Sequence, residues 1–521
     1  MKVDKTSKYD RQLRLWKDEG QTKLENSHIC LINASPTGAE ILKNLVLAGV
    51  GAITVNDQGL VSEDDLSGNF FYLREDIGKG KAESLVNNLV EMNNEVKRTA
   101  ILNPLDDLLE GNKKFWDQFN VVVVSDWIPR KDFERLLDIL WSRNIPLLLL
   151  NAVGFYGTLR LYVSEITIME THDPARFHDL RICYPWTELQ EYVDSIDLAE
   201  VDDVTHAHVP YVVILIKALE KWKQTHGGQL PSYRERTGDF RQLVKSMSRN
   251  IGEEENFIEA SKVAVRALQL SDIPPHIQQL LQKANNNAEE TLVSRNPIFW
   301  TLMKALKNFV LQNEGQLPLP GTLPDMTSDS ASYTTLLNIY RSKALKDQEN
   351  FKRDLMQVLA SNGDAIKKID EEVIVEFCKN THFLHVTEGS KDLYNQELKY
   401  YFFNANGEDT LYLLNVYFAI LGINVFIDRH NRNPIIEDMS EVQDLLREIL
   451  NVPSEAELPI RFQNTLSEAI LHYTNSYHNI CSFMGGVCSQ EILKLATSQY
   501  IPLDNLFVFD GIKSLSEKWK V

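Results

Sequence analysis

Between His28 and Asp57 the chain reads HICLINASPTGAEILKNLVLAGVGAITVND. An apolar run over His28–Asn33, a turn, a helical pattern over about Pro36–Ala48, a Gly49/Gly51 break and a second apolar run ending at Asp57 outline a β-α-β unit. Such a unit admits few folds, because two parallel strands joined by a crossover helix belong in a sheet covered on both faces. The turn that opens the helix is where a phosphate normally sits, on glycines whose N–H groups point at it. Here it reads Asn33-Ala34-Ser35-Pro36-Thr37-Gly38. Only Gly38 remains of a glycine loop. Ala34, Ser35 and Pro36 put side chains in the phosphate position, and Pro36 has no N–H to donate. Ser35 and Pro36 together make a good helix start, as N-cap and first helical residue. The strand-helix-strand signal is intact while the phosphate signal is lost, which predicts a scaffold that no longer binds its own nucleotide.

The same alternation of strands and helices continues to about residue 165. Lys81–Asn93 has apolar residues at helical spacing, Val121–Ser125 and Pro146–Asn151 read as strands buried on both faces, and Lys131–Arg143 reads as a helix. The fold class expected is α/β: a doubly wound, Rossmann-like sheet, mostly parallel. From about 166 the pattern turns helical, over Val209–Lys223, Glu253–Leu270 and Ala331–Leu359, with a polar break at Asn285–Glu290 and a Pro/Gly-rich loop at Gln316–Ser330. A small-residue-rich helix at Asn479–Ala496 and a strand at Leu506–Asp510 then look like closing elements of the first sheet. The expected organisation is 1–165, an inserted, mainly helical domain over 166–475, and a return over 476–521.

A net charge of −19 over 521 residues argues against nucleic acid or an anionic membrane as the main partner. No apolar run approaches the length of a membrane span, and the N-terminus has no signal-peptide pattern, so a cytoplasmic and nuclear location is expected. Five scattered cysteines (Cys30, Cys183, Cys378, Cys481, Cys488), with no Cys-x-x-Cys pair, suggest neither a disulfide framework nor a structural zinc site. His206 and His208 with Asp202 and Asp203 lack regular ligand spacing and read as a solvated helix N-terminus; no metal site is expected.

The opening Tyr9-Asp10-Arg11-Gln12-Leu13-Arg14-Leu15-Trp16, followed by the β-α-β unit with its LAGVG and strand-final Asp57, resembles the ubiquitin-activating enzyme superfamily. Its members adenylate the C-terminal glycine of a ubiquitin-like protein, and eukaryotic members pair one active with one degenerate adenylation domain. Leu319–Met326 (LPGTLPDM), Asp329-Ser330, Tyr333, Leu411–Asn415 (LYLLN) and SFMGGVCSQEILKLATSQYIPL near the end resemble, over essentially the whole chain, the regulatory-subunit family of neddylation activating enzymes. The first domain is then a pseudo-adenylation domain and the insert the counterpart of a catalytic-cysteine domain.

The resemblance assigns positions. Asp57 matches the ribose-holding position, Lys81 the phosphate-contacting lysine and Asp126 the magnesium-binding aspartate. The family's Asn-x-x-Arg-Gln run falls on Asp65-Leu66-Ser67-Gly68-Asn69, so Gly68 stands where a phosphate-binding guanidinium belongs. These three are expected to be vestigial, with no cofactor bound by this chain. Arg11 matches an arginine that reaches in trans into the partner's ATP site, stabilising phosphate charge; the bland alternative is a surface arginine on a helix whose Tyr9, Leu13 and Trp16 face the core. Arg14 is the weaker candidate. Cys183, in RICYP, matches no catalytic motif. The resemblance implies a noncatalytic subunit, inactive alone, with three partners: a catalytic subunit that carries ATP and magnesium, the ubiquitin-like modifier of the neddylation pathway, and its conjugating enzyme. The rival readings are a self-sufficient adenylating enzyme, the equivalent subunit for another modifier, and a Rossmann dehydrogenase. The damaged turn and the lack of a second-domain catalytic pattern count against the dehydrogenase.

Overall fold

The computed structural model describes residues 5–172, 178–268, 273–284, 296–361, 368–404 and 411–521. The polar break read at Asn285–Glu290 lies outside them. The chain divides into two compact units, Met1–Ile168 with Val386–Val521, and Met169–His385. Strands in chain order are β1 (His28–Ile32), β2 (Ala52–Asn56), β3 (Lys97–Ile101), β4 (Val121–Ser125), β5 (Leu147–Val153), β6 (Tyr156–Tyr162), β7 (Glu165–Ile168), β8 (His385–Glu388), β9 (Leu506–Asp510) and β10 (Leu515–Trp519).

The first unit is built on an eight-stranded sheet of order β10-β9-β6-β5-β4-β1-β2-β3. β3, β2, β1, β4 and β5 run parallel, and β6, β9 and β10 complete the sheet antiparallel. The side chains of β1 show why both faces must be covered. Ile29 and Leu31 enter one core with the Pro36–Ala48 helix, while Cys30 and Ile32 enter another with Leu136 and Leu140 of the Arg130–Ser142 helix. The doubly wound sheet expected from the sequence is present.

One boundary is corrected. The stretch 386–475, assigned by sequence to the insert, belongs to the first unit. The helix Leu414–His430 is apolar on nearly every side, and Phe418, Ile423 and Phe426 share a core with Val153 of β5, Tyr156 of β6, and Leu506 and Val508 of β9. Tyr412 Oη donates to Asp510 Oδ2 at 2.7 Å across the same contact. A helix that apolar has no water-facing side, so it must be covered by a sheet face or by other helices.

In the second unit, the helices Tyr211–Thr225, Glu255–Ala267 and Ser330–Ser361 share one core that includes Val212, Phe257, Leu336 and Tyr340. The Pro/Gly-rich segment is a loop, as expected, but it is fastened down. Leu319 N–H donates to Asp347 Oδ2 (3.0 Å), Thr327 N–H to Glu259 Oε2 (2.8 Å), and Arg181 Nη2 to the Leu317 carbonyl (2.6 Å). Reading it as a plain turn signal missed this, because the anchoring side chains come from elements far away in sequence.

The helices Pro36–Ala48 and His478–Thr497 cross in near-backbone contact. A Cβ on Gly485 would lie 2.7 Å from Glu40 Cβ and 3.3 Å from the Glu40 and Ile41 backbone. A Cβ on the adjacent Gly486 would meet nothing within 4 Å. The two glycines should therefore respond oppositely to alanine. In urea unfolding of the isolated chain, Gly485→Ala should lose about 1–3 kcal/mol by forcing the helices apart. Gly486→Ala should gain about 0.5–1 kcal/mol from helix propensity.

Candidate functional site

The turn between β1 and the Pro36–Ala48 helix is filled by the protein's own groups. Asn33 takes a left-handed conformation (φ 68°), and its Nδ2 donates to the carbonyls of Ser125 and Trp127, both at 3.1 Å. Ser35 caps the helix, its Oγ accepting from Gly38 N–H at 3.1 Å, with Pro36 in the first turn, as the sequence predicted. Ser35 Oγ also meets Ser125 Oγ at 2.5 Å.

Asp57, Lys81 and Asp126 do converge on this turn. Asp57 Oδ2 accepts from Ala34 N–H at 2.9 Å and Oδ1 from Gly59 N–H at 2.7 Å, so the carboxylate stands at the helix start as an internal anion. Lys81 Nζ pairs with Asp65 Oδ1 at 2.6 Å. Burial opposes ionisation of Asp65, but the Lys81 ammonium and the Ser62 hydroxyl and N–H outweigh it and hold the carboxyl below the usual range. Gly68 lies against Pro36 and Ser476; a Cβ there would sit 3.4 Å from each side chain. Two residues that the sequence reading missed complete the arrangement. Buried Tyr72 donates from Oη to the carbonyls of Ala34 (3.0 Å) and Lys81 (3.3 Å), tying the turn to the lysine's backbone. Asp65 is the other. Its signal was the acidic residue at the head of the Asn-x-x-Arg-Gln position, with Ser62 three residues before it as a capping box.

Asp126 sits after β4 with φ 67°, its Oδ1 3.4 Å from Ala152 N–H. Burial pushes its carboxyl up from 3.8 to about 6, against the lowering effect of Ser35 and Ala152. The folded state therefore holds this proton more tightly than the unfolded chain does. Stability from this group is full below the unfolded value and is lost as pH rises through about 6. Asp126→Asn, which suits a left-handed position, should be more stable than the parent by about 2 kcal/mol near pH 7.5 and equal to it near pH 4, measured by urea unfolding across pH.

Arg11 is placed apart from these. It lies in the first turn of the helix Asp10–Glu25, exposed, and its guanidinium makes no hydrogen bond or ion pair with any described residue. Arg14 is instead committed to Asp10 at 3.0 Å. Tyr9 and Trp16 are buried as expected, while Leu13 is half-buried. Tyr9 packs on Gly49, whose added Cβ would lie 2.6 Å from Tyr9 Oη, and Oη accepts from Asn93 Nδ2 at 3.2 Å. Gly49 (φ 89°) caps the C-terminus of the same helix that the altered turn begins. Arg11's anchor is thus separated from that turn by the 13 residues of the helix, roughly 20 Å. A cleft of about 740 Å³ opens beside Tyr9, His28, Gly49 and Lys97, at the strand ends opposite the turn.

All five cysteines are buried. Cys183 Sγ lies 3.6 Å from the Leu268 carbonyl, and burial pushes the Cys481 thiol up to about 11. The histidine pair needs a correction. Asp202 caps a short helix and His208 is exposed, as read, but His206 is 1% exposed, with Nδ1 2.5 Å from Glu254 Oε1 and its ring stacked on Phe257. Its partner lies 48 residues away, beyond the reach of a local pattern.

Sheet, turn and insert define a Rossmann-like scaffold whose first strand-to-helix turn is filled by the chain's own groups and whose chain is interrupted by a helical unit. The chain belongs to the ThiF family, which matches residues 9–521, and within it to the NEDD8-activating enzyme E1 regulatory subunits. It is 34% identical to the regulatory subunit of Xenopus laevis over 99% of both chains. Identity to the Danio rerio subunit is 34%, over 100% of this chain and 99% of that protein. To the Drosophila melanogaster subunit it is 31%, over 99% and 98%.

Proposed function

We propose that this chain is the noncatalytic half of a two-subunit NEDD8-activating enzyme of the cytoplasm and nucleus. The partner subunit binds ATP and magnesium, adenylates the C-terminal glycine of NEDD8, takes it onto its own cysteine and passes it to a conjugating enzyme. This chain completes the enzyme through a large interface, its inserted unit and Arg11.

One observation carries the reading: Arg11 is a cation with no partner among the described residues, held far from its own chain's turn. A positive charge in the first helical turn opposes the helix dipole, by about 0.3–1 kcal/mol. No described residue pairs with Arg11 to offset that cost, whereas a phosphate charge on a neighbouring subunit would. The nucleotide positions of this chain fit an ATP poorly. Ala34 N–H is taken by Asp57 and Gly38 N–H by Ser35, Pro36 has none to give, and Lys81 is bound to Asp65. Gly68 offers no guanidinium. No step of the reaction is assigned to these groups.

Two measurements test the reading. Calorimetry on the isolated chain should give no ATP binding at micromolar concentrations; a micromolar affinity would favour a self-sufficient adenylating enzyme instead. In the heterodimer, with assembly checked by gel filtration, Arg11→Ala should slow NEDD8-dependent pyrophosphate exchange by roughly ten- to a hundredfold at saturating ATP. Arg11→Lys should recover only part of that, because an ammonium lacks the two-pronged contact. An unchanged rate for the alanine variant would leave this helix a purely structural role.

A further inference from the structure

The helix that carries Arg11 is broken in the middle. Lys17 has φ 58° and ψ −176°, a backbone region that only glycine enters freely, so Asp10–Trp16 and Asp18–Glu25 are two helical pieces meeting at a fixed corner. The break has an identifiable cause on each side. On the inside, Trp16 folds back onto Gly20, where an added Cβ would lie 2.7 Å from Trp16 Cβ. Its indole N–H donates to buried Gln21 Oε1 at 3.0 Å. On the outside, two carbonyls beside the break receive donors from the residues just beyond the His478–Thr497 helix. Gln499 Nε2 donates to the Trp16 carbonyl and Tyr500 Oη to the Leu15 carbonyl, each at 3.4 Å. Gln499 is fully buried, and the left-handed residues Ser498 (φ 54°) and Tyr500 (φ 62°) on either side turn this short stretch back toward the break. At its other end the Arg11 piece is pinned by Tyr9 on Gly49.

We propose that Gln499, assisted by Tyr500, is a positioning residue for Arg11. It holds the Lys17 corner, and the corner sets the direction in which the short Arg11 helix presents its guanidinium to the partner subunit. This inference rests on the trans role proposed for Arg11. A guanidinium offered from a mount fixed at both ends loses little freedom when it meets a phosphate, and a displacement of about 1 Å can cost a large part of its effect.

The test is a double-mutant cycle in the assembled heterodimer, reading NEDD8-dependent pyrophosphate exchange. Gln499→Leu keeps the volume and removes the donor. It should lower the exchange rate about three- to tenfold with the KM for ATP unchanged, and Tyr500→Phe should give a smaller loss. In an Arg11→Ala background neither substitution should slow the reaction further, because the group they position is gone. A structural role alone would predict multiplicative losses, and that outcome would overturn the proposal. So would wild-type rates for Gln499→Leu and Tyr500→Phe alongside a slow Arg11→Ala. A wild-type rate for Arg11→Ala would overturn the trans-arginine reading and this inference with it. If Gln499→Leu does not assemble, Tyr500→Phe, which keeps its half-exposed ring, decides by the same criteria.

Discussion

The first unit depends on the approach of two helix backbones at Gly485. The Pro36–Ala48 helix comes from the start of the chain and the His478–Thr497 helix from near its end, and only a residue without a side chain lets them touch. The contact buries Glu40, whose carboxylate is met by Lys43 and faces His478 Nε2 at 3.8 Å. A buried charge is tolerable when paired in this way. Much else follows from this seam. It places Cys488 and Ile492 against the sheet core, sets Ser476 beside Gly68, and delivers Gln499 to the broken helix that bears Arg11.

At the turn after β1, the chain's own groups meet the needs of the helix start. A helix N-terminus carries partial positive charge and unpaired N–H groups, and emptying it of its anion would leave both unmet. Here Asp57 supplies the negative charge, Ser35 an acceptor, and Pro36 removes one N–H from the account. Lys81 is paired with Asp65.

Much of this was legible in the sequence because it is local. Ser35-Pro36 as a helix start, the VVVVS run as a doubly buried strand, and Gly49 as a helix stop are each decided within a few residues. Asp57, Lys81 and Asp126 were singled out by resemblance, and they do meet at the turn. What was not legible depends on long-range partners: Tyr72 reaching Ala34, Glu254 reaching His206, and the Leu414–His430 helix covering β6 and β9. The last explains the misplaced boundary at 475. Helical periodicity says that a segment is buried, not against which unit. The break at Lys17 has no sequence signal of its own, since lysine is an ordinary helix former.

The order of the sheet has a consequence for synthesis. β6 is made early, every one of its residues is buried in the finished unit, and its outer edge pairs with β9, which emerges about 340 residues later. At ordinary elongation rates of roughly 5–20 residues per second, that edge stays open for about 20–70 seconds. During that interval one edge of β6 has no strand partner, although its other edge can pair with β5, and an open edge is the kind of template on which other chains assemble. The edge left open until β9 is made is thus the place in this chain where aggregation during synthesis can start, independent of how stable the finished unit is.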